Sequence, residues 1–383
     1  MLRGDLRGGD FTQQEQFMSS NVISLSRRQN PKAHDRGALL HSFAKMRRDP
    51  NDVFWLKENA ELLNILECSA SMLDSYDLSA YAQIYDNLPK RLAFFPQYYR
   101  FFASIALDLE GLGLAGDHAE TICARIDQQG LINAELSDLQ RAETTRLLAR
   151  RGMGVGEETD LQARLHRFIN HSATFALPNH KVAYELTHIV FYLSEYGRRD
   201  PKISADAVQS LIFCGILAQL DQNTDLLAEV CIALRYAGKV APQAWEDLVK
   251  TTAHAFEITL QDAGAGDNYH EYLVTNWAMA QMGANSFKDT YTSTGVGFYA
   301  AQNNIGALGA MSEILFSWDG PRSAQWSVMR RNVFTRLDDR VARHLSEIIK
   351  STSEFEAFFE HFARASSGGS SVRAAQVHEL ARR

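Results

Sequence analysis

The sequence predicts an all-α protein, with antiparallel helix hairpins arranged as an α/α ring (toroid-like) or a curved array. Three observations lead there. Apolar residues recur at helical spacing along most of the chain, with very little alternation of period two. End signals bound these segments into helices of roughly 14 to 20 residues joined by short connections, which favours antiparallel hairpins. The 383 residues, 45% hydrophobic and 22% charged, suffice for one large core or two smaller ones. No fixed repeat period is present, which counts against a regular solenoid.

Residues 1–35 are rich in Gly, Ser, Asn, Gln and Arg and read as a disordered leader before an all-α domain at 36–364. Asp49-Pro50 opens a helix through Cys68, because proline is tolerated in a first turn where its missing N–H costs nothing. Asp117 with Glu120, Ser137 with Gln140 and Ser351 with Glu354 have capping-box spacing and mark helix starts. Further helices are expected at 94–110, 158–169, 181–196, 204–219, 224–237, 242–262, 268–282, 300–317 and 323–349. Three glycines in Arg151-Gly-Met-Gly-Val-Gly-Glu157 mark a possible internal boundary or a long loop. Ala365 to Ser371 has linker composition, and 372–383 reads as a short basic helical tail able to contact a protein partner.

Composition narrows the function classes. A net charge of -7 supplies no basic field for nucleic acid or an anionic membrane, and the Arg27-Arg28 and Arg330-Arg331 pairs are too short to make one. No apolar run reaches the roughly 18 to 20 residues of a membrane span. Cys68, Cys123, Cys214 and Cys231 are widely separated in apolar helical patterns, which suits reduced thiols and a cytoplasmic location rather than a zinc site.

The most informative segment is 181–196, where a histidine sits in an almost unbroken apolar context. At 100° per residue the stripe centred on His188 also carries Lys181, Tyr184, Phe191, Tyr192 and Glu195. A helix apolar behind and aromatic with ionisable groups in front is expected of an inner helix facing a pocket. His188 is therefore a candidate general acid or base, with Glu195 orienting it. The competing reading is a core histidine satisfied by a hydroxyl or a carbonyl.

A second constellation is Asp267-Asn-Tyr-His270-Glu271 through Trp277. His270 lies near a helix N-terminus, where the dipole favours the neutral imidazole, and it shares a face with Val274, Trp277 and Gln281. Tyr184, Phe191, Tyr192 and Trp277 are the expected pocket lining. No metal site is read: Val274 stands where a His-Glu-x-x-His motif needs its second histidine, and His166 and His171 miss the spacing of four. Convergence of His188 and His270 in space is the one route left to a metal. Asp221, Asp225, Asp338 and Asp339 read as caps and solvated surface rather than magnesium ligands. Gly295-Val-Gly-Phe-Tyr-Ala300 fits a lax dinucleotide pattern but lacks the strand-helix-strand context, so the cofactor stays unknown. A loop at 285–299 bearing Tyr291, Phe298 and Tyr299 is expected to cover a pocket.

Thr187 to Gly197, Asp225 to Arg235 and Tyr269-His270 together resemble an uncharacterised group of bacterial all-helical proteins with a Thr-His-x-x-Phe-Tyr motif, over about 181–282. The resemblance implies that these segments belong to one unit. Two functions follow from the residues. One is an enzyme with a central pocket, using His188, Glu195 and His270 on a small or peptidic substrate. The other is a helical scaffold or interaction module with structural histidines.

Overall fold

The computed structural model describes residues 31–69, 75–154, 159–259, 266–287, 291, 297–300 and 306–365. The expected leader up to residue 30, the tail from 366, the end of the glycine-rich stretch at 155–157 and most of the 285–299 loop lie outside them. The fold is all-α. Its helices in chain order are α1 (Pro31–His41), α2 (Val53–Cys68), α3 (Ser75–Leu78), α4 (Ala82–Phe94), α5 (Tyr99–Gly111), α6 (His118–Gln128), α7 (Asp138–Ala149), α8 (Thr159–Ile169) and α9 (His180–Leu193). There follow α10 (Ala205–Asp221), α11 (Thr224–Tyr236), α12 (Gln243–Ala255), α13 (Tyr269–Gln281), α14 (Leu308–Phe316), α15 (Trp326–Phe334), α16 (Asp339–Ser351) and α17 (Phe355–Phe362). Two short strands, β1 (Glu257–Thr259) and β2 (Gly297–Tyr299), pair antiparallel with Ile258 opposite Phe298.

Helix ends follow capping chemistry, though not always at the expected residue. The helix expected from Asp49-Pro50 begins at Val53 instead, because the Asp52 side chain accepts from Phe54 N and forms the cap. Ser204, Asn179 and Asn223 cap α10, α9 and α11 in the same way. Asp117 and Ser137 do precede α6 and α7, but neither side chain makes a capping hydrogen bond. Ser351 closes α16 rather than opening a helix, its hydroxyl donating to Ile348 O. The segment 323–349 is two helices, because the Asp338 side chain accepts from Arg340 N and Val341 N and restarts the chain as α16. The segment 242–262 also stops early: α12 ends at Ala255 and the chain turns extended into β1.

Helix α11 is packed against four other helices. It lies against α9, α10, α12 and α13, and its residues from Leu226 to Leu234 are all buried. α9 also touches α7, α7 touches α5, α5 touches α2, and α2 touches α13, so α2, α5, α7, α9, α11 and α13 each have two neighbours within that set. Gly215 of α10 makes room for the fully buried Trp245 indole from α12, since a Cβ there would lie 2.2 Å from Cζ3 of that ring. After α9 the chain reverses with Glu195, Tyr196 and Gly197 all at positive φ. Gly197 is required twice over at that reversal: its φ is 85°, and a Cβ would meet the Tyr236 ring.

Candidate functional site

Four helices bring ionisable side chains to one cluster. α2 supplies Glu61, α9 supplies Tyr184, Thr187 and His188, α11 supplies Asp225 and Glu229, and α13 supplies His270. Asp225 and Glu229 are one helical turn apart and share a face of α11. Because Asn223 takes the capping role, Asp225 is free to point sideways, where Oδ2 receives hydrogen bonds from the Tyr184 hydroxyl at 3.2 Å and meets His270 Nδ1 at 2.8 Å. The expectation that Asp225 is a cap or a solvated surface residue is thus corrected. Asn223 contributes a second bond, its Nδ2 donating to the Tyr184 hydroxyl at 3.4 Å.

Glu229 lies deeper, with 2% of its side chain exposed. Its Oε2 is 2.5 Å from Thr187 Oγ1, which also lies 3.0 Å from Tyr184 O. One hydroxyl proton cannot serve both partners. When Glu229 is ionised the threonine donates to it; when Glu229 is protonated the carboxyl donates to Thr187, and Thr187 donates to the Tyr184 carbonyl. The other oxygen, Oε1, faces His188 Nε2 at 3.9 Å. His270 Nε2 stands 3.9 Å from Glu61 Oε1, and the Tyr269 hydroxyl donates to Glu61 Oε2 at 3.0 Å.

The charges of this cluster push its members apart. Burial raises the Glu229 carboxyl to about 8, with Asp225 adding to it and His270 opposing. Burial also acts on His270, but there Asp225, Glu61 and Glu229 outweigh it and raise the imidazole to about 10. The neutral imidazole expected from the helix N-terminus is overturned, since adjacent carboxylates act at shorter range than the helix dipole. His188 moves the other way, lowered by burial and by the charge on His270. Glu271 is raised to about 7 by burial and by Asp225.

The expected site residues divide. His188 faces Glu229 while His270 faces Asp225 and Glu61, and the two meet in one cluster because Asp225, Glu229 and His270 each place a ligand atom within 4.8 Å of the others; Tyr184 joins it through Asp225. Tyr192 stacks on His188 with ring centroids 6.1 Å apart and planes 7° from parallel. Phe191 and Trp277 pack on each other at 4.9 Å and are buried, so they form the floor behind the cluster. Glu195 is not brought to His188. α9 ends at Leu193, and Glu195 Oε2 instead pairs with Arg146 Nε of α7 at 3.4 Å, below the Tyr196 ring that the same guanidinium covers.

His188 is not enclosed in the core: 36% of its side chain is exposed, and among the described residues it makes no hydrogen bond. Glu61 was not singled out from the sequence, and Thr187 and Glu229 entered only within the segments that carry the family resemblance, with no role assigned. The spacing Asp225-x-x-x-Glu229 one turn into a capped apolar helix was the available signal for one of them.

The chain belongs to the family described as "Domain of unknown function (DUF6902)", which matches residues 19–365 and so extends well beyond the 181–282 segment that carries the resemblance. No curated protein and no solved structure matches it. No described helix is long and apolar enough to cross a membrane.

Proposed function

We propose that this protein is an enzyme whose central pocket performs acid–base chemistry on a small or peptidic substrate. The six helices α2, α5, α7, α9, α11 and α13, each beside two others of the set, form the inner wall of an α/α ring in this reading, with the cluster on its inner face. The observation that carries it is the pairing of His188 Nε2 with Glu229 Oε1 at 3.9 Å, on an imidazole that solvent still reaches. That separation leaves both groups unsatisfied by each other and available to a third atom placed between or above them. His270, fixed by Asp225, supplies a second donor across the cluster, and Tyr192 stacks on His188 and helps hold its ring in place.

The test uses a small-molecule extract incubated with the purified chain and followed by mass spectrometry. Wild-type protein is expected to consume at least one component, and His188→Asn, with unchanged melting temperature, is expected to lose that activity by about 100-fold, in the range of general acid–base contributions. Equal consumption by both proteins, or by neither, would count against the reading.

A second reading, a helical interaction module, is favoured by one surface. Phe94 is 77% exposed and Phe95 41%, beside a groove that also presents Lys90 and Arg91. A partner peptide lost on Phe94→Ser, with the histidines dispensable, would favour that alternative.

A further inference from the structure

Four acidic side chains elsewhere in this protein, each at most 6% exposed, are matched by arginine. Glu58 meets Arg47 at 2.9 Å and Arg48 at 2.8 Å, Asp108 meets Arg150 at 2.6 Å, Glu246 meets Arg235 at 2.5 Å, and Asp267 meets Arg47 at 2.8 Å. Asp225 and Glu229 break this pattern. Among the described residues no arginine or lysine pairs with either, and the groups facing them are imidazoles. Two oxygens are also left over. Asp225 Oδ1 is buried without a hydrogen-bond partner, and Glu229 Oε1, on a side chain 2% exposed, is 3.9 Å from the nearest ring nitrogen of His188. An uncompensated buried oxygen of this kind is costly unless a cation or another donor meets it.

One ligand atom from each of Asp225, Glu229 and His270 lies within 4.8 Å of the others. In a coordination shell with bonds of roughly 2.1 Å, neighbouring donors are roughly 3 to 4 Å apart, so side-chain adjustments of under about 1 Å close the shell. The supporting layer is present. Thr187 holds Glu229, Tyr184 holds Asp225, and Tyr269 holds Glu61, which stands beside the other face of His270. Such outer hydrogen bonds orient ligating groups and keep them in one rotamer.

We propose that Asp225, Glu229 and His270 hold a divalent first-row transition ion, with His188 beside Glu229 at its shell and Glu61 behind the His270 ring. Two carboxylates and one imidazole suit Mn²⁺, Fe²⁺ or Zn²⁺ better than a thiolate-seeking ion, and leave positions for water or substrate. The inference rests on the reading that this cluster is the working site, and it adds the cofactor class.

The experiment is metal analysis of the full chain, stripped with chelator, loaded separately with Mn²⁺, Fe²⁺ (anaerobically) or Zn²⁺, and desalted. The expected result is about one ion per chain for at least one metal, with a raised thermal midpoint, as ligands specific to the native state require. Glu229→Gln is expected to lower retention at least about tenfold while folding as wild type, since it removes a buried charge but keeps the side-chain shape. Asp225→Asn serves as the independent second variant. Retention of none of the three ions by folded wild-type protein overturns the proposal, as does undiminished binding in both variants. A metal-free wild type whose turnover still depends on His188 sinks the ion alone. A stoichiometric ion with turnover indifferent to His188 sinks the acid–base reading alone.

Discussion

Thr187 Oγ1 lies 2.5 Å from Glu229 Oε2 and fixes which oxygen of that carboxylate faces His188. Both partners are buried, so the bond cannot be replaced by water. Thr187→Val keeps the shape and removes the only hydroxyl, leaving a buried carboxyl oxygen unsatisfied. A loss of about 1–3 kcal/mol is expected. Thr187→Ser should restore most of it, and urea unfolding of the three proteins measures the difference.

Arg47 ties the N-terminal part of the domain to the start of α13. Its Nη1 and Nη2 reach Asp267 at 2.8 and 3.1 Å while Nε reaches Glu58 at 2.9 Å, and Asp267 also accepts from Phe298 N at 3.0 Å. Arg47→Met leaves two carboxylates buried, with Arg48 alone still serving Glu58. Stability is expected to fall by about 3–5 kcal/mol, the usual cost of removing one member of a buried charged set. Thermal unfolding provides the check, and a midpoint unchanged from wild type would contradict the assignment.

Gly215→Ala probes the contact between α10 and α12. The added methyl group falls within the Trp245 indole, which is fully buried and donates from Nε1 to Ser351 Oγ at 3.2 Å, so it cannot shift without loss. Overpacking of this kind costs about 1–3 kcal/mol, more than the helix propensity that alanine gains. A stabilised variant in a denaturant titration would show that the indole has room to move.

The Asp138–Arg164 pair gives a pH signature. Arg164 donates from Nε at 2.8 Å and Nη2 at 3.0 Å, and these bonds hold the Asp138 carboxyl below its ordinary value against a smaller opposing effect of burial. A depressed folded-state value stabilises the fold above the unfolded carboxylate range, near about pH 4, and that contribution is lost as pH falls through the folded value. Asp138 is 40% exposed, so solvent screening limits the effect to about 0.2–1 kcal/mol. Arg164→Gln should therefore be less stable than wild type at pH 7, with the gap narrowing as pH falls below about 4. A gap that persists unchanged at pH 3 is the contrary outcome.

The sequence revealed helices best where an apolar run carries its own cap. α10 and α11 fall within two residues of their expected bounds because Ser204 and Asn223 close orphan N–H groups at their starts. The 242–262 helix overran because Glu257 to Thr259 owe their conformation to a partner strand some forty residues later, which no local pattern contains. In the site, the histidines stood out as rare ionisable groups among apolar neighbours. Glu61 and Glu229 did not, because an acidic residue inside a helix looks solvated until the helices that cover it are known. Glu195 failed to reach His188 for a geometric reason: adding whole turns assumes the helix continues, and the chain leaves it two residues earlier into positive φ.

Two glutamates near the same helix consequently predict opposite phenotypes. Glu195 pairs with Arg146, whose side chain is 4% exposed, and the Nε and Nη2 of that guanidinium have no hydrogen-bond partner. Glu195→Gln removes the one carboxylate paired with this buried cation among the described residues, and a stability loss of about 1–3 kcal/mol is expected, softened by the Tyr196 ring 4.5 Å from the guanidinium carbon. Turnover at a temperature where the variant stays folded should match wild type, because Glu195 touches none of Tyr184, His188, Asp225, Glu229 or His270. Glu229→Gln reverses the pattern: replacing an uncompensated buried carboxyl by an amide leaves stability equal or higher, while turnover falls with the loss of the group facing His188. Parallel melting and turnover measurements on the two variants separate the roles. If Glu195→Gln abolishes turnover in the folded state while Glu229→Gln retains it, the working carboxylate lies at the Arg146 side of α9 and the cluster described above is structural.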